Sequence, residues 1–143
     1  KEKSRNYRIE SIIPEKNVQK FKDYFKDIQK LMFDCFKIQK YSPELDNKKW
    51  VMAFLGKKLV GFLTIDSSNI IWNVCVATNY RRDGIARQAL QKAVEYSCPT
   101  KNPRLYVDNK GKTYNKLIKL YTGYGFKIVK SDGKVTTMEF ECK

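Results

Sequence analysis

The sequence contains no histidine. That removes the side chain most often used as a general base near neutral pH and as a metal ligand. The four cysteines, Cys35, Cys75, Cys98 and Cys142, form no CxxC pair. A zinc site would have to gather thiolates from distant segments, so no metal is expected. Cys35 and Cys75 sit in apolar patterns, where a free cysteine behaves as a small hydrophobe. All four are expected to be reduced structural thiols, because disulfides would imply secretion. Neither GxxxxGK[ST] nor GxGxxG occurs, which excludes a P-loop and a dinucleotide turn. No apolar run approaches the about 18 residues of a membrane span. The opening KEKSRNYR lacks the apolar stretch of a signal peptide. No membrane contact is expected, and the cytoplasm is the expected compartment. Repeats, low-complexity tracts and long linkers are missing too. A length of 143 residues fits one domain, residues 1–143.

Acid is scarce: 15 Asp and Glu stand against 29 Lys and Arg, a formal charge of +14. Such a field favours anionic partners such as phosphates, nucleic acid or acidic proteins. The lysines are spread along the chain rather than gathered in one tract. Solvated surface lysine is therefore weighed above a nucleic-acid stripe.

What is present reads as a mixed α/β (α+β) chain with a mixed sheet. Tyr7 to Ile13 alternates as a first strand and Pro14 ends it. Asn17 is placed to cap one helix, with Val18, Phe21, Phe25, Ile28 and Met32 at helical spacing and Leu31, Cys35 and Phe36 widening the stripe. YSPELDNKK is a polar loop. WVMAFLG and LVGFLTID form a hairpin about Gly56-Lys57-Lys58. IIWNVCVA is apolar on both faces, as in a central, fully covered strand. Ile85, Ala86, Ala89, Leu90, Ala93 and Val94 make a small-residue helical face. RLYVD is a strand, and a helix from about Tyr114 is stopped by Gly123 and Gly125. FKIVK and VTTMEFEC form a hairpin about Ser131-Asp132-Gly133-Lys134. The predicted order is β-α-β-β-β-α-β-α-β-β.

The stretch NYRRDGIARQAL, Asn79 to Leu90, sets a cationic glycine turn between a strand and a helix. A helix start carries unpaired N–H groups and the positive end of the dipole. Gly84 lets backbone approach an anion closely, and Arg81 and Arg82 add charge, so the stretch suits a pyrophosphate.

The segment NVCVATNYRRDGIARQAL resembles the acetyl-CoA motif of the GCN5-related N-acetyltransferases. Arg81, Gly84 and Ala86 match that family's Q/R-x-x-G-x-G/A turn. LIKLYTGYGF resembles its downstream helix, with Leu120, Tyr121, Gly125 and Phe126 matching L-Y-x-x-x-G-F. The motifs span Val74 to Phe126, and the strand order extends the likeness to most of the chain. The resemblance implies the acyl-CoA N-acyltransferase fold, in which a bulge splays the fourth strand from the fifth. It implies that backbone amides of Arg82, Asp83, Gly84, Ile85, Ala86 and Arg87 hold the CoA pyrophosphate. Backbone of Val74, Cys75 and Val76 would pair with pantetheine. Acetyl-CoA would be the cosubstrate and an amine the acceptor: a protein N-terminus, a lysine or a small amine. Tyr121 would be the general acid, a phenol with a pKa near 10 matching a thiolate of similar basicity. The chain departs from the pattern at Tyr114, where the family has an asparagine that Asn115 supplies one place later, and at Leu117 and Thr78. For the base, Asp66 and a water relayed by backbone carbonyls are the alternatives. A CoA-binding sensor without turnover is the second reading. A nucleic-acid-binding domain ranks last, lacking a recognition motif. Monomer and homodimer both remain open.

Overall fold

A computed structural model describes residues 6–143. One mixed sheet runs β1-β2-β3-β4-β5-β7-β6. Its strands are β1 Arg8–Ile12, β2 Lys49–Leu55, β3 Lys58–Ile65, β4 Ile70–Val76, β5 Arg104–Asp108, β6 Lys127–Ser131 and β7 Val135–Glu139. The β4–β5 pair is parallel and every other pair antiparallel. Helices α1 (Val18–Asp23) and α2 (Phe25–Phe36) follow β1; α3 (Ile85–Ser97) and α4 (Tyr114–Tyr124) flank β5 in sequence. A short 3-10 turn, Thr78–Tyr80, leads into α3.

The hairpins stand where turn chemistry puts them. Gly56 has a φ of 62° in the two-residue turn between Leu55 and Lys58, a backbone region that glycine enters freely. Asp132 accepts hydrogen bonds from the backbone of Lys134 and Val135 in the β6–β7 turn. Three expectations need correction. The first helical run is two helices, not one: the Tyr24 N–H turns back to the Phe21 carbonyl at 3.1 Å. That tighter bond, with Tyr24 stacked toward Phe54 and Phe21 edge-on to Trp50, swings the chain over the sheet. Asn17 precedes α1 but makes no side-chain cap. Gly123 lies within α4, so Gly125 alone ends it.

Two apolar layers sandwich the sheet. On one face α3 and α4 bury Ala89, Leu90, Ala93 and Tyr121 against Val51, Leu63, Leu105 and Val107. On the other, α1 and α2 bury Phe21, Ile28, Leu31 and Met32 against Trp50, Met52, Phe54 and Phe62. Ile85, the first residue of α3, packs with Ala53 and Val60. A Cβ on Gly61 would stand 2.9 Å from the Cys75 carbonyl and 3.3 Å from Ile85 Cγ2. A backbone oxygen cannot step aside, so this glycine lets β3, β4 and the start of α3 close up. Gly61→Val is expected to cost about 1–3 kcal/mol, the scale of overpacking a core. A thermal midpoint equal to wild type would refute this.

The cysteines are paired: Cys35 with Cys75 and Cys98 with Cys142. The expectation of four reduced thiols is overturned. Cys35 and Cys75 look apolar within their own segments. The fold brings the last turn of α2 onto β4 and the C-terminal segment onto the end of α3, with Cα separations of 5.9 and 5.4 Å, within the span a disulfide bridges.

Candidate active site

The parallel contact between β4 and β5 is short. Only Ile70↔Arg104 and Ile71↔Leu105 are in register. Beyond them the strands part. The cause lies in β4, whose register against β3 slips between Phe62 and Thr64. Asn73, opposite that slip, has a φ of 55°, the left-handed region that asparagine tolerates better than most residues. A bulge of this kind bends its strand and ends pairing. It also corrects the expectation of a fully covered central strand, because Trp72 is 40% exposed.

The backbone beyond the bulge alternates. Ala77 N–H donates to the Val60 carbonyl on β3 at 2.8 Å. Strand alternation therefore turns Cys75 toward β3 as well, and Val74 and Val76 toward the opening. Val76 already accepts a hydrogen bond from Arg81 Nε at 2.8 Å. Of the three residues expected to pair with a ligand, Val74 and Val76 face the gap. Cys75 does not: it turns its backbone to β3 and its sulfur to Cys35.

At the end of β4 the turn reaches α3. Gly84 is its N-cap, with a φ of 79°. A Cβ there would meet nothing within 4 Å, so the backbone is bare to an approaching group. The first bond into the helix runs from Gln88 N–H to the Gly84 carbonyl. Ahead of it lie the amides of Ile85, Ala86 and Arg87, the positions a helix start leaves without carbonyl partners. Ile85 is fully buried and fixes the start in place. Arg82 is exposed at the mouth. Asp83 is half-buried and accepts the Tyr7 hydroxyl. Arg87 leans to α4, donating to the Gly123 carbonyl at 3.3 Å and lying over the Tyr124 ring. Bare amides, an open glycine and the exposed Arg82 fit a phosphate-bearing group.

Tyr121 is buried in the core layer against which Val74 packs. Burial pushes its hydroxyl up to about 12, above the value near 10 expected from sequence. A base is harder to assign. Asp66 is committed to the β3–β4 turn: its oxygens accept N–H groups from Ser68, Ile70 and the Trp72 indole at 2.8–3.0 Å. Tyr114, in the slot of the family asparagine, shares a hydrogen bond with Thr136 at 3.1 Å.

The YSPELDNKK loop borders a cavity beside the bulge. This cavity has a volume of about 180 Å³, and its lining includes Tyr41, Glu44, Asp46, Lys48, Thr64 and Asn73, with Lys48 Nζ 3.9 Å from Asp46 Oδ2. It therefore touches the bulge itself. Tyr41 is held above its ordinary pKa by burial and by the Asp46 and Glu44 carboxylates. The signal was available in YSPELDNKK, whose only acids are Glu44 and Asp46.

A splayed pair of central strands beside a glycine-opened helix start is the arrangement that the resemblance to the acyl-CoA N-acyltransferases implies. The family profile described as an acetyltransferase (GNAT) domain matches residues 13–140. The chain belongs to this family of N-acetyltransferases. Among solved structures, Arabidopsis thaliana NAA60 in complex with acetyl-CoA superposes with a TM-score of 0.68 at 20% identity, covering 94% of this chain and 98% of that one. The same protein in complex with a bisubstrate analogue gives 0.71 at 18%, covering 94% and 97%. Escherichia coli ElaA gives 0.68 at 15%, covering 95% and 100%. At these identities the likeness is one of fold. No curated protein matches the chain significantly. Among the described residues no group of potential ligands could hold a metal, and no helix is long and apolar enough to cross a membrane.

Proposed function

We propose that residues 1–143 form one domain that transfers acetyl to a primary amine carried on a slender cationic arm, a lysine side chain, a protein N-terminus or a small amine. The carrying observation is the cavity at Asn73: it meets β4 at the bulge and is lined by Glu44 and Asp46. A free amine in water is an ammonium ion, and Glu44, beside an Asp46 that already faces Lys48 at 3.9 Å, attracts it where the rest of the molecule, at +14, repels it. About 180 Å³ is below the roughly 300–1,000 Å³ of a drug-sized site. It suits one amine arm better than an aminosugar.

Bound acetyl-CoA supplies an activated acyl group with a thiolate leaving group. The chain's part is to hold, orient and move protons. The amides of Arg82 through Arg87 hold the pyrophosphate, Arg82 adding charge at the mouth. Val74 and Val76 present backbone to the pantetheine arm, with Arg81 steadying the Val76 carbonyl. The cavity brings the amine nitrogen to the β4 bulge at Asn73. Tyr121 holds a proton for the departing sulfur. With no histidine in the chain, the ammonium proton leaves to water in the cavity. The cytoplasm is proposed as the compartment because acetyl-CoA is made and used there; the two disulfides on their own point to an oxidising one.

Thermal stability with and without saturating acetyl-CoA, at low and high salt, tests the donor half. A ligand at about 100 times its Kd adds roughly 2.7 kcal/mol. The upward shift should survive salt. CoA release with a panel of amines then tests the acceptor half. Lysine peptides and diamines should turn over, with KM raised several-fold in Glu44→Gln/Asp46→Asn and kcat little changed. A preference for anionic aminosugar phosphates would reject the cationic-arm reading and leave the donor half standing.

A further inference from the structure

The Cys35–Cys75 disulfide joins three parts of the site at one point. Cys75 lies on β4 between Val74 and Val76 and is 1% exposed. Cys35 is half-buried in the last turn of α2. Two residues later Lys37 caps that helix in the left-handed conformation, and the chain enters the loop that lines the amine cavity. Arg81, the first residue of the cradle, spans both ends. Its Nη2 lies 3.8 Å from Cys35 Sγ while its Nε holds the Val76 carbonyl. The second disulfide, Cys98–Cys142, ties the far end of α3 to the C-terminal segment.

From this placement we propose that the Cys35–Cys75 disulfide is a redox switch on acetyl-CoA binding: closed, it holds the cradle in its binding form; open, it weakens it. The proposal rests on the acetyl-CoA reading above. Opening takes two electrons. A dithiol reductant attacks the sulfur–sulfur bond and closes to its own disulfide, and the two cysteines leave as thiols, each with one proton. Two consequences follow. β4 loses its covalent tie to α2 and to the loop beyond it. The freed Cys35 thiol stands beside the Arg81 guanidinium, whose hold on the Val76 carbonyl is no longer fixed by the bridge. A cytoplasmic setting suits this role, since disulfides that persist there are usually transient, catalytic or redox-sensing.

The test is acetyl-CoA titration calorimetry on the full chain, air-oxidised and after treatment with a phosphine, which spares the thioester. Alkylation and peptide mass would report which bridges are open, and a melting curve would report that the reduced protein is folded. Reduction should raise Kd about tenfold, the order of one charge-assisted contact. Cys98→Ser/Cys142→Ser should keep that response. Cys35→Ser/Cys75→Ser should bind with a Kd that no longer depends on the reductant. An open Cys35–Cys75 pair in folded protein with Kd within twofold of the oxidised form overturns the switch. So does oxidised protein in which the pair never forms. Failure to bind acetyl-CoA in either state would overturn the acetyltransferase reading, and the switch with it.

Discussion

Gly84→Val is expected to weaken acetyl-CoA binding by roughly 100-fold while leaving the chain folded. Two separate effects add. Gly84 sits at a φ of 79°, where a β-branched residue is a backbone outlier. Left-handed backbone costs an L-residue about 1–2 kcal/mol, enough to disturb the helix entry but small for a domain with two buried layers. The second effect is steric and falls on the ligand. Because an added Cβ meets no protein atom within 4 Å, valine adds bulk only to the open space in front of the Ile85, Ala86 and Arg87 amides. Losing two charge-assisted hydrogen bonds there, at about 1.5 kcal/mol each, gives the hundredfold. Gly84→Ala carries most of the strain and less bulk, so its affinity should fall less. Calorimetry of both variants, with melting curves to confirm folding, separates strain from obstruction. Wild-type affinity in Gly84→Val would remove the helix start from the binding site.

The glycine-opened helix start was legible in the sequence because every part of it is local. Gly84, Ala86 and Arg81 lie within six positions, and the small-residue face of α3 announces itself by its period. The succession of strands and the mixed sheet were legible for a similar reason: Gly56 and Gly133 mark hairpins, and intervening helices mark crossovers. What stayed hidden depends on contacts across the fold. Asn73 looked like one polar residue in an apolar run, yet its left-handed backbone is what parts β4 from β5. Cys35 and Cys75 are 40 positions apart, and nothing in either neighbourhood names the other as partner. The break at Tyr24 arises where aromatic side chains settle on β2, which helical periodicity cannot register. Glu44 and Asp46 read as loop polarity until the loop folds back over the bulge.

The Tyr121 hydroxyl tests whether the core layer takes part in chemistry. Its pKa of about 12 is set by burial, which penalises the phenolate. The phenol therefore keeps its proton throughout the neutral range, as an acid must. A solvated thiolate would be too weak a base to take that proton readily. One formed within the same apolar opening is raised by the same desolvation, which brings the two groups closer. Tyr121→Phe is expected to lower kcat about 100-fold, the lower end of the range for a positioned general acid. Acetyl-CoA affinity should stay within twofold, since the ring and its contacts with Phe126 remain. The pH profiles carry independent information. Wild-type kcat should show no loss of the acid form below about pH 10, because Tyr121 does not titrate there. Stability should behave the same way: the folded state holds the Tyr121 proton more tightly than the unfolded state, so the contribution is complete below about pH 10 and is lost as pH rises toward 12. Tyr121→Phe should abolish that alkaline component whatever the role in catalysis. A variant that loses the alkaline component but turns over at the wild-type rate would leave Tyr121 a packing residue. The proton for the sulfur would then come from water.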